Sequence, residues 1–217
     1  MLTAADFTNN AQNEPAILGL FSNNIVMISY AEPQNTAGVH SLSVVPGFNN
    51  NNAWIGKNSA GQIIDVNTVK NFPPAGGATF QSYWCPYESN NCKLAWLGTQ
   101  ANYMFTAKMD GCTFAVGSSA PSGERMVAHA NVGGKGAEQL NLIRGKVAFR
   151  NDQGMKTLAP SSYYFGGKDD TTDTMWKIQA TTFGIRLADG TWKFYSQTIK
   201  YNASQKTMEL IAVVPIL

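Results

Sequence analysis

Charge is scarce in this 217-residue chain. Asp, Glu, Lys and Arg make up 14% of it, against roughly 25% in an average soluble domain. The net charge is +2 and no run of Lys or Arg forms a basic patch, which argues against a nucleic-acid surface. Long apolar runs are missing too. None reaches the ~18 residues of a membrane-spanning helix, so no membrane association is expected. The opening residues MLTAADFTNNAQNEPAILGLF lack a basic segment followed by a long apolar core, so a Sec-type leader is not expected either. Heptads and internal repeats are absent. Histidines number two and cysteines three. No Cys/His set has zinc spacing, and neither a metal nor another cofactor is expected. An odd cysteine count leaves at least one thiol unpaired in a monomer. Cys85 and Cys92, in WCPYESNNC, form either a short-loop disulfide or two free thiols.

What is present is apolar and uncharged polar. Hydrophobic residues make up 44% of the chain, enough for the core of a single domain over residues 1–217. Most segments read as short strands bounded by turn residues: 24–31, 39–48, two strands around NSAG at 58–61, 101–107, 112–117 and 125–132. Residues 49–52, 72–77 and 118–124 read as loops. A hairpin turning at Asp189-Gly190 and a largely buried strand over 207–217 complete the β content. Helix signals are few. GAEQLNLIRGK places Ala137, Leu140 and Ile143 on one face and Gly145 at the stop. LTAADFTNNAQNE offers Thr3 as an N-cap with Asp6 three residues on. The expected fold is α+β: a mixed or antiparallel β-sandwich core flanked by one or two helices and long loops.

Cys112 stands out among the thiols. It follows Gly111, opens the apolar strand CTFAVG, and has His129 seventeen residues downstream in RMVAHANV. If those strands pair across the intervening loop, Cys112 falls opposite His129, with Cβ atoms ~5 Å apart on one face. A slip of one residue would separate them. Folding 101–107 back through KMDG puts Thr106 beside Cys112. Thr106, Cys112 and His129 then read as orienter, nucleophile and base, the general pattern of covalent catalysis. A neighbouring imidazolium would lower the thiol pKa. Backbone N–H groups at Gly111 and Cys112 are candidate oxyanion donors. Against this stands the ordinary role of a Cys or His in an apolar strand, which is core packing. His40, in GVHSL, is the competing base, and nothing local links it to Cys112.

The segment FTAKMDGCTFAVG…MVAHANV resembles the active-site region of the Burkholderia lethal factor and cytotoxic necrotizing factor group of toxins. The pattern of that group is Phe-Thr, then Leu-Ser-Gly-Cys, a short strand and a histidine. Phe105-Thr106, Gly111-Cys112 and His129 occupy those places. Met109-Asp110 replaces Leu-Ser, and the Cys-to-His gap is longer. The resemblance covers residues 105–131. It implies a glutamine deamidase with Cys112 as nucleophile, His129 as base and Thr106 as orienter, and no cofactor. By family analogy the partner is a host protein, a Rho-type GTPase or a translation-initiation helicase, and the loops at 49–52, 73–77 and 118–123 select it. The resemblance also implies a monomeric secreted effector acting in the reducing cytosol of a host cell.

Other acyl-transfer enzymes use the same pair. A transglutaminase differs only in the acceptor. A papain-like protease carries its cysteine near the mature N-terminus, on a helix, unlike this mid-chain position. A non-enzymatic alternative is a β-sandwich that binds carbohydrate or protein, with Trp54, Trp84, Trp96, Trp176 and Trp192 as stacking residues.

Overall fold

A computed structural model describes residues 2–29, 36–48, 54–70, 76–120, 123–132, 136–163 and 176–216, with the Trp176 side chain left out. The expected loops at 49–52 and 72–75 lie outside these residues.

Two short helices come first. α1 (Ala4–Asn9) begins with the capping box anticipated for Thr3 and Asp6, which satisfies two amide donors that a helix start leaves open. α2 (Glu14–Asn23) is capped by the Asn13 side chain and has Pro15 in its first turn, where a missing N–H costs nothing. The sequence pattern did not single out α2.

The strands make two sheets. β1 (Asn24–Ser29), β2 (Gly38–Pro46), β3 (Ile55–Lys57), β4 (Ile63–Lys70), β5 (Phe80–Cys85), β7 (Tyr103–Thr106), β11 (Trp176–Arg186), β12 (Trp192–Asn202) and β13 (Thr207–Pro215) form the larger one. β6 (Asn91–Leu97), β8 (Thr113–Val116), β9 (Arg125–Asn131) and β10 (Lys156–Leu158) form the smaller one, in the order β10-β8-β9-β6. α3 (Gly136–Gly145) and α4 (Pro160–Tyr163) follow β9 and β10 respectively.

The larger sheet is not half of a sandwich. Its β4-β2-β5-β7-β11-β12-β13-β3 run closes through a β3–β4 pairing into an eight-stranded barrel, with β1 added alongside β4. The expected β-sandwich core is therefore wrong, although helices do flank the sheets. The closure rests on the hairpin around NSAG, whose first strand pairs parallel with β13 and antiparallel with β4. At that seam Gly56 lies so close to β4 that a Cβ would stand 2.6 Å from the Ile64 carbonyl oxygen. A register shift at Thr198/Ile199 in the β12–β13 ladder supplies the local bend a curving sheet needs. Neither feature is a pattern of alternation, so hydrophobic periodicity could not separate a barrel from a sandwich.

β1 shows how a strand can lie in the core with one edge unpaired by backbone. β4 pairs with it in parallel. On the other side the Gln197 carboxamide oxygen accepts from Val26 N–H at 2.8 Å, and Thr181 Oγ1 donates to the Val26 carbonyl at 2.6 Å. Gln197 Nε2 also donates to the Phe21 and Asn24 carbonyls. Buried backbone groups need such partners, which accounts for two fully buried polar side chains, Thr181 and Gln197, on one face of β11 and β12.

One face of the β5-β7-β11-β12 wall packs on α1 and α2. Phe21 stacks on Phe183 at 3.6 Å, and Phe7 stacks on Phe80 at 4.4 Å. The opposite face carries Cys85, Met104, Ala180 and Phe194 and packs on Cys112, Phe114, Val116 and Val127 of the smaller sheet. The layer between the two sheets holds the candidate site. Two other expectations need correction. In α3 the buried residues are Gln139 and Ile143, whereas Ala137 is exposed and Leu140 half-buried. β13 is half-buried rather than largely buried.

Candidate active site

β8 and β9 do pair antiparallel, but two residues away from the expected register. Phe114 lies opposite His129 and Thr113 opposite Ala130. The shift arises in the loop. Ala120 N–H bonds to Glu124 O, so the turn falls later along the chain than expected; Gly117 N–H bonds to Met126 O, and one extra residue on the 117–120 side then takes back part of that offset. Asp152 holds that extra length, accepting from Ser118 N–H at 2.6 Å and from its hydroxyl at 2.5 Å. A shift of two residues keeps every side chain on its original face. Cys112, one step before β8, thus still shares a face with His129, as a diagonal neighbour for which Cβ atoms stand ~7 Å apart.

Thr106 reaches the site by another route than expected. β7 belongs to the barrel and pairs with β5 and β11, not with β8. The connecting segment crosses from one sheet to the other, and on the way Met109 exchanges two backbone hydrogen bonds with Ala180, at 2.9 and 2.7 Å. Thr106 therefore meets His129 across the layer between the sheets. Its Oγ1 lies 2.6 Å from His129 Nδ1 and donates to the Cys85 carbonyl at 2.8 Å. A hydroxyl has one proton. With that proton on the Cys85 carbonyl, Nδ1 must be the donor in the other bond. His129 is then the Nδ1–H tautomer, and its Nε2 carries a lone pair. Nε2 is buried and has no hydrogen-bond partner.

Two further side chains pin the segment around Cys112. Tyr163 Oη accepts from Gly111 N–H at 3.0 Å and donates to the Cys112 carbonyl at 2.8 Å. Gln139, fully buried, donates to the Gly111 carbonyl at 2.7 Å and accepts from Thr113 Oγ1 at 2.5 Å. Gly111 has φ 130, a conformation glycine tolerates and other residues rarely adopt. The Gly111 N–H, expected as an oxyanion donor, is thus engaged by Tyr163, and Gly111 serves here to shape the segment. The sequence pattern missed Gln139 and Tyr163. The one available signal for Gln139 was a polar residue four positions before Ile143, on the helix face that packs inward.

Over the imidazole lies Tyr87, its ring 5.4 Å away and edge-on, with its hydroxyl accepting from Asn131 Nδ2 at 2.7 Å. Asn131 is on the His129 face of β9. The site is closed to solvent: Cys112 and His129 are each 1% exposed and Thr106 0%. Burial sets the charges. It lowers the His129 pKa to about 4 and raises that of Cys112 to about 12, the Asp110 carboxylate adding to the latter. The expected thiolate-imidazolium pair is therefore not the resting form; both groups are neutral. His40, the competing base, contacts the Thr36 carbonyl at 2.8 Å through Nε2. Cys85, Cys92 and Cys112 are all free and buried, so Cys85 and Cys92 are not joined. Among the described residues no group of three or more His, Cys, Asp or Glu is placed to hold a metal ion. No protein-family model matches the chain, and no curated protein matches it.

Proposed function

We propose that this chain is a Cys–His glutamine deamidase that converts a glutamine side chain of a host protein to glutamate. The observation that supports it most is the His129 imidazole. Thr106 holds its Nδ1–H, and the unpartnered Nε2 lone pair is buried on the same face as Cys112. An unpaired buried polar atom costs roughly 1–3 kcal/mol, and a base awaiting a proton explains why one is kept.

The chemistry follows from two neutral groups. Cys112 Sγ attacks the carboxamide carbon while His129 Nε2 takes the thiol proton. The tetrahedral intermediate collapses as that proton passes to the departing nitrogen, and ammonia leaves a thioester. Water then attacks the thioester, again giving its proton to Nε2. The proton returns to sulfur, releasing glutamate and the free thiol. If a primary amine replaces water, the product is a transglutaminated target. Thr106 is a positioning residue that keeps Nε2 unprotonated. Because the pair is enclosed, target binding has to open the layer between the sheets. The resemblance in residues 105–131 points to a Rho-type GTPase or a translation-initiation helicase as target, and to a secreted effector working in the host cytosol. Three free thiols suit a reducing compartment.

Burial of Cys112 also favours a second reading, a non-catalytic thiol in the core of a binding module. Among the described residues its aromatic platform is small: Trp84 and Trp192 are buried, Trp54 is half-buried, and Trp96 is the one exposed Trp. A eukaryotic lysate separates the two. Wild-type protein should release ammonia and convert a specific glutamine to glutamate by peptide mass spectrometry, whereas Cys112→Ser should not. Silence from both proteins removes the deamidase.

A further inference from the structure

Beside the Cys–His pair lies a row of buried hydroxyls that the proposed chemistry does not use. Cys85 pairs with Thr106 across β5–β7, and Thr182 pairs with Ser196 across β11–β12. The β7–β11 ladder runs Tyr103↔Ile185 to Phe105↔Phe183, and one more step in that register sets Thr106 beside Thr182. Cys85, Thr106, Thr182 and Ser196 thus form one line across four strands. Thr198 stands two residues beyond Ser196, on the same side of the strand. Thr182 and Ser196 are 0% exposed and Thr198 1%. Ser196 Oγ and Thr198 Oγ1 have no hydrogen-bond partner. Thr182 Oγ1 has only a weak kind of acceptor in the Met109 thioether, at 3.0 Å.

We infer that Thr182, Ser196 and Thr198 are an amide-binding subsite, where the main chain flanking a target glutamine is held while the Met109 side chain swings aside. The assignment rests on the deamidase reading of Cys112 and His129. Hydroxyls both donate and accept, so a line of them suits the alternating N–H and C=O groups of a peptide. Alanine or valine would fill the same positions at no hydrogen-bonding cost, yet two hydroxyls remain unsatisfied in the resting protein. Their spacing fits. Ser196 lies two strand spacings from Thr106, ~10 Å, the reach of about three extended residues at ~3.5 Å each. Of the three, Thr182 is covered by the Met109 thioether. The Met109 backbone is fixed to Ala180, but its side chain has three rotatable bonds and adapts readily.

The test uses the full chain and a blocked dipeptide, glycine preceded by a glutamine analogue in which a diazomethyl ketone replaces the carboxamide. Cys112 Sγ bonds to the diazo carbon, dinitrogen leaves and the thiol proton ends on that carbon. Labelling is followed by intact mass, giving KI and kinact. In Ser196→Ala/Thr198→Val, KI should rise about tenfold, the worth of one or two hydrogen bonds, with kinact and the rate of iodoacetamide alkylation unchanged. Thr198→Ser should keep the wild-type KI, and its contrast with Thr198→Val carries the same comparison should the double variant fail to fold. An unchanged KI with normal Cys112 labelling overturns the subsite and leaves the deamidase reading standing. A wild-type protein that the analogue does not label at Cys112 overturns both.

Discussion

Thr106→Val tests the orientation of His129 most directly. Valine keeps the shape of threonine and removes one hydroxyl, which here takes part in two hydrogen bonds, accepting from His129 Nδ1–H at 2.6 Å and donating to the Cys85 carbonyl at 2.8 Å. The variant leaves a buried N–H without an acceptor, at a cost of about 2 kcal/mol. For a protein of this size that lowers Tm by about 4–8 °C. The imidazole then has no reason to keep its proton on Nδ1, and the Nε2–H tautomer becomes populated. Nitrogen-15 NMR of the two ring nitrogens reads this directly: the Nδ1–H form in wild type, a mixture or the Nε2–H form in Thr106→Val, and the Nδ1–H form again in Thr106→Ser. A base in the wrong tautomer cannot take the thiol proton, and the proposed deamidation should fall on the order of 10²–10⁴-fold. A wild-type protein in the Nε2–H form, or a variant with unchanged Tm and tautomer, would refute the orienting role.

Other consequences follow from the same packing. His129 has its pKa lowered from 6.5 to about 4 by burial; the unfolded chain binds the extra proton first, so stability is full above pH 6.5 and about 3 kcal/mol of it is lost as pH falls to about 4, a slope that His129→Gln should flatten in denaturant titrations. Cys112, raised from 9.0 to about 12, should react with iodoacetamide at pH 8 about a thousandfold more slowly than an unperturbed thiol; a rate near that of free cysteine would mean that the site is open in solution. Tyr163→Phe removes the partner of both Gly111 N–H and the Cys112 carbonyl, and should lower stability by about 1–3 kcal/mol while speeding that alkylation. Gly56→Ala drives a Cβ to 2.6 Å from the Ile64 carbonyl oxygen and 2.9 Å from Val66 Cγ2, and should cost about 1–3 kcal/mol at the barrel seam, seen as a lower urea midpoint.

Local pattern by itself determined the short-range features. Short apolar runs bounded by turn residues marked β7, β8 and β9 to within two residues at each end, because such runs are a property of the local sequence alone. Thr3 and Asp6 announced a capping box, and Asp189-Gly190 a hairpin, since caps and turns depend on a few adjacent residues. The shared face of Cys112 and His129 was legible for the same reason: it needs only the parity of the register, which survived the two-residue shift. Tertiary structure decided what parity cannot carry. The register itself was set by where the β8–β9 turn falls, one side of which Asp152 holds from thirty-four residues away through Ser118. Barrel closure was set by a three-residue strand and a glycine close to its neighbour, neither of which changes the hydrophobic pattern. Thr106 met His129 not along a sheet but across two, through a segment that Met109 ties to Ala180. The charge state of the pair followed from burial, which sequence spacing does not encode: the same two residues at a surface would favour a thiolate and an imidazolium, whereas between two sheets the missing water keeps both neutral.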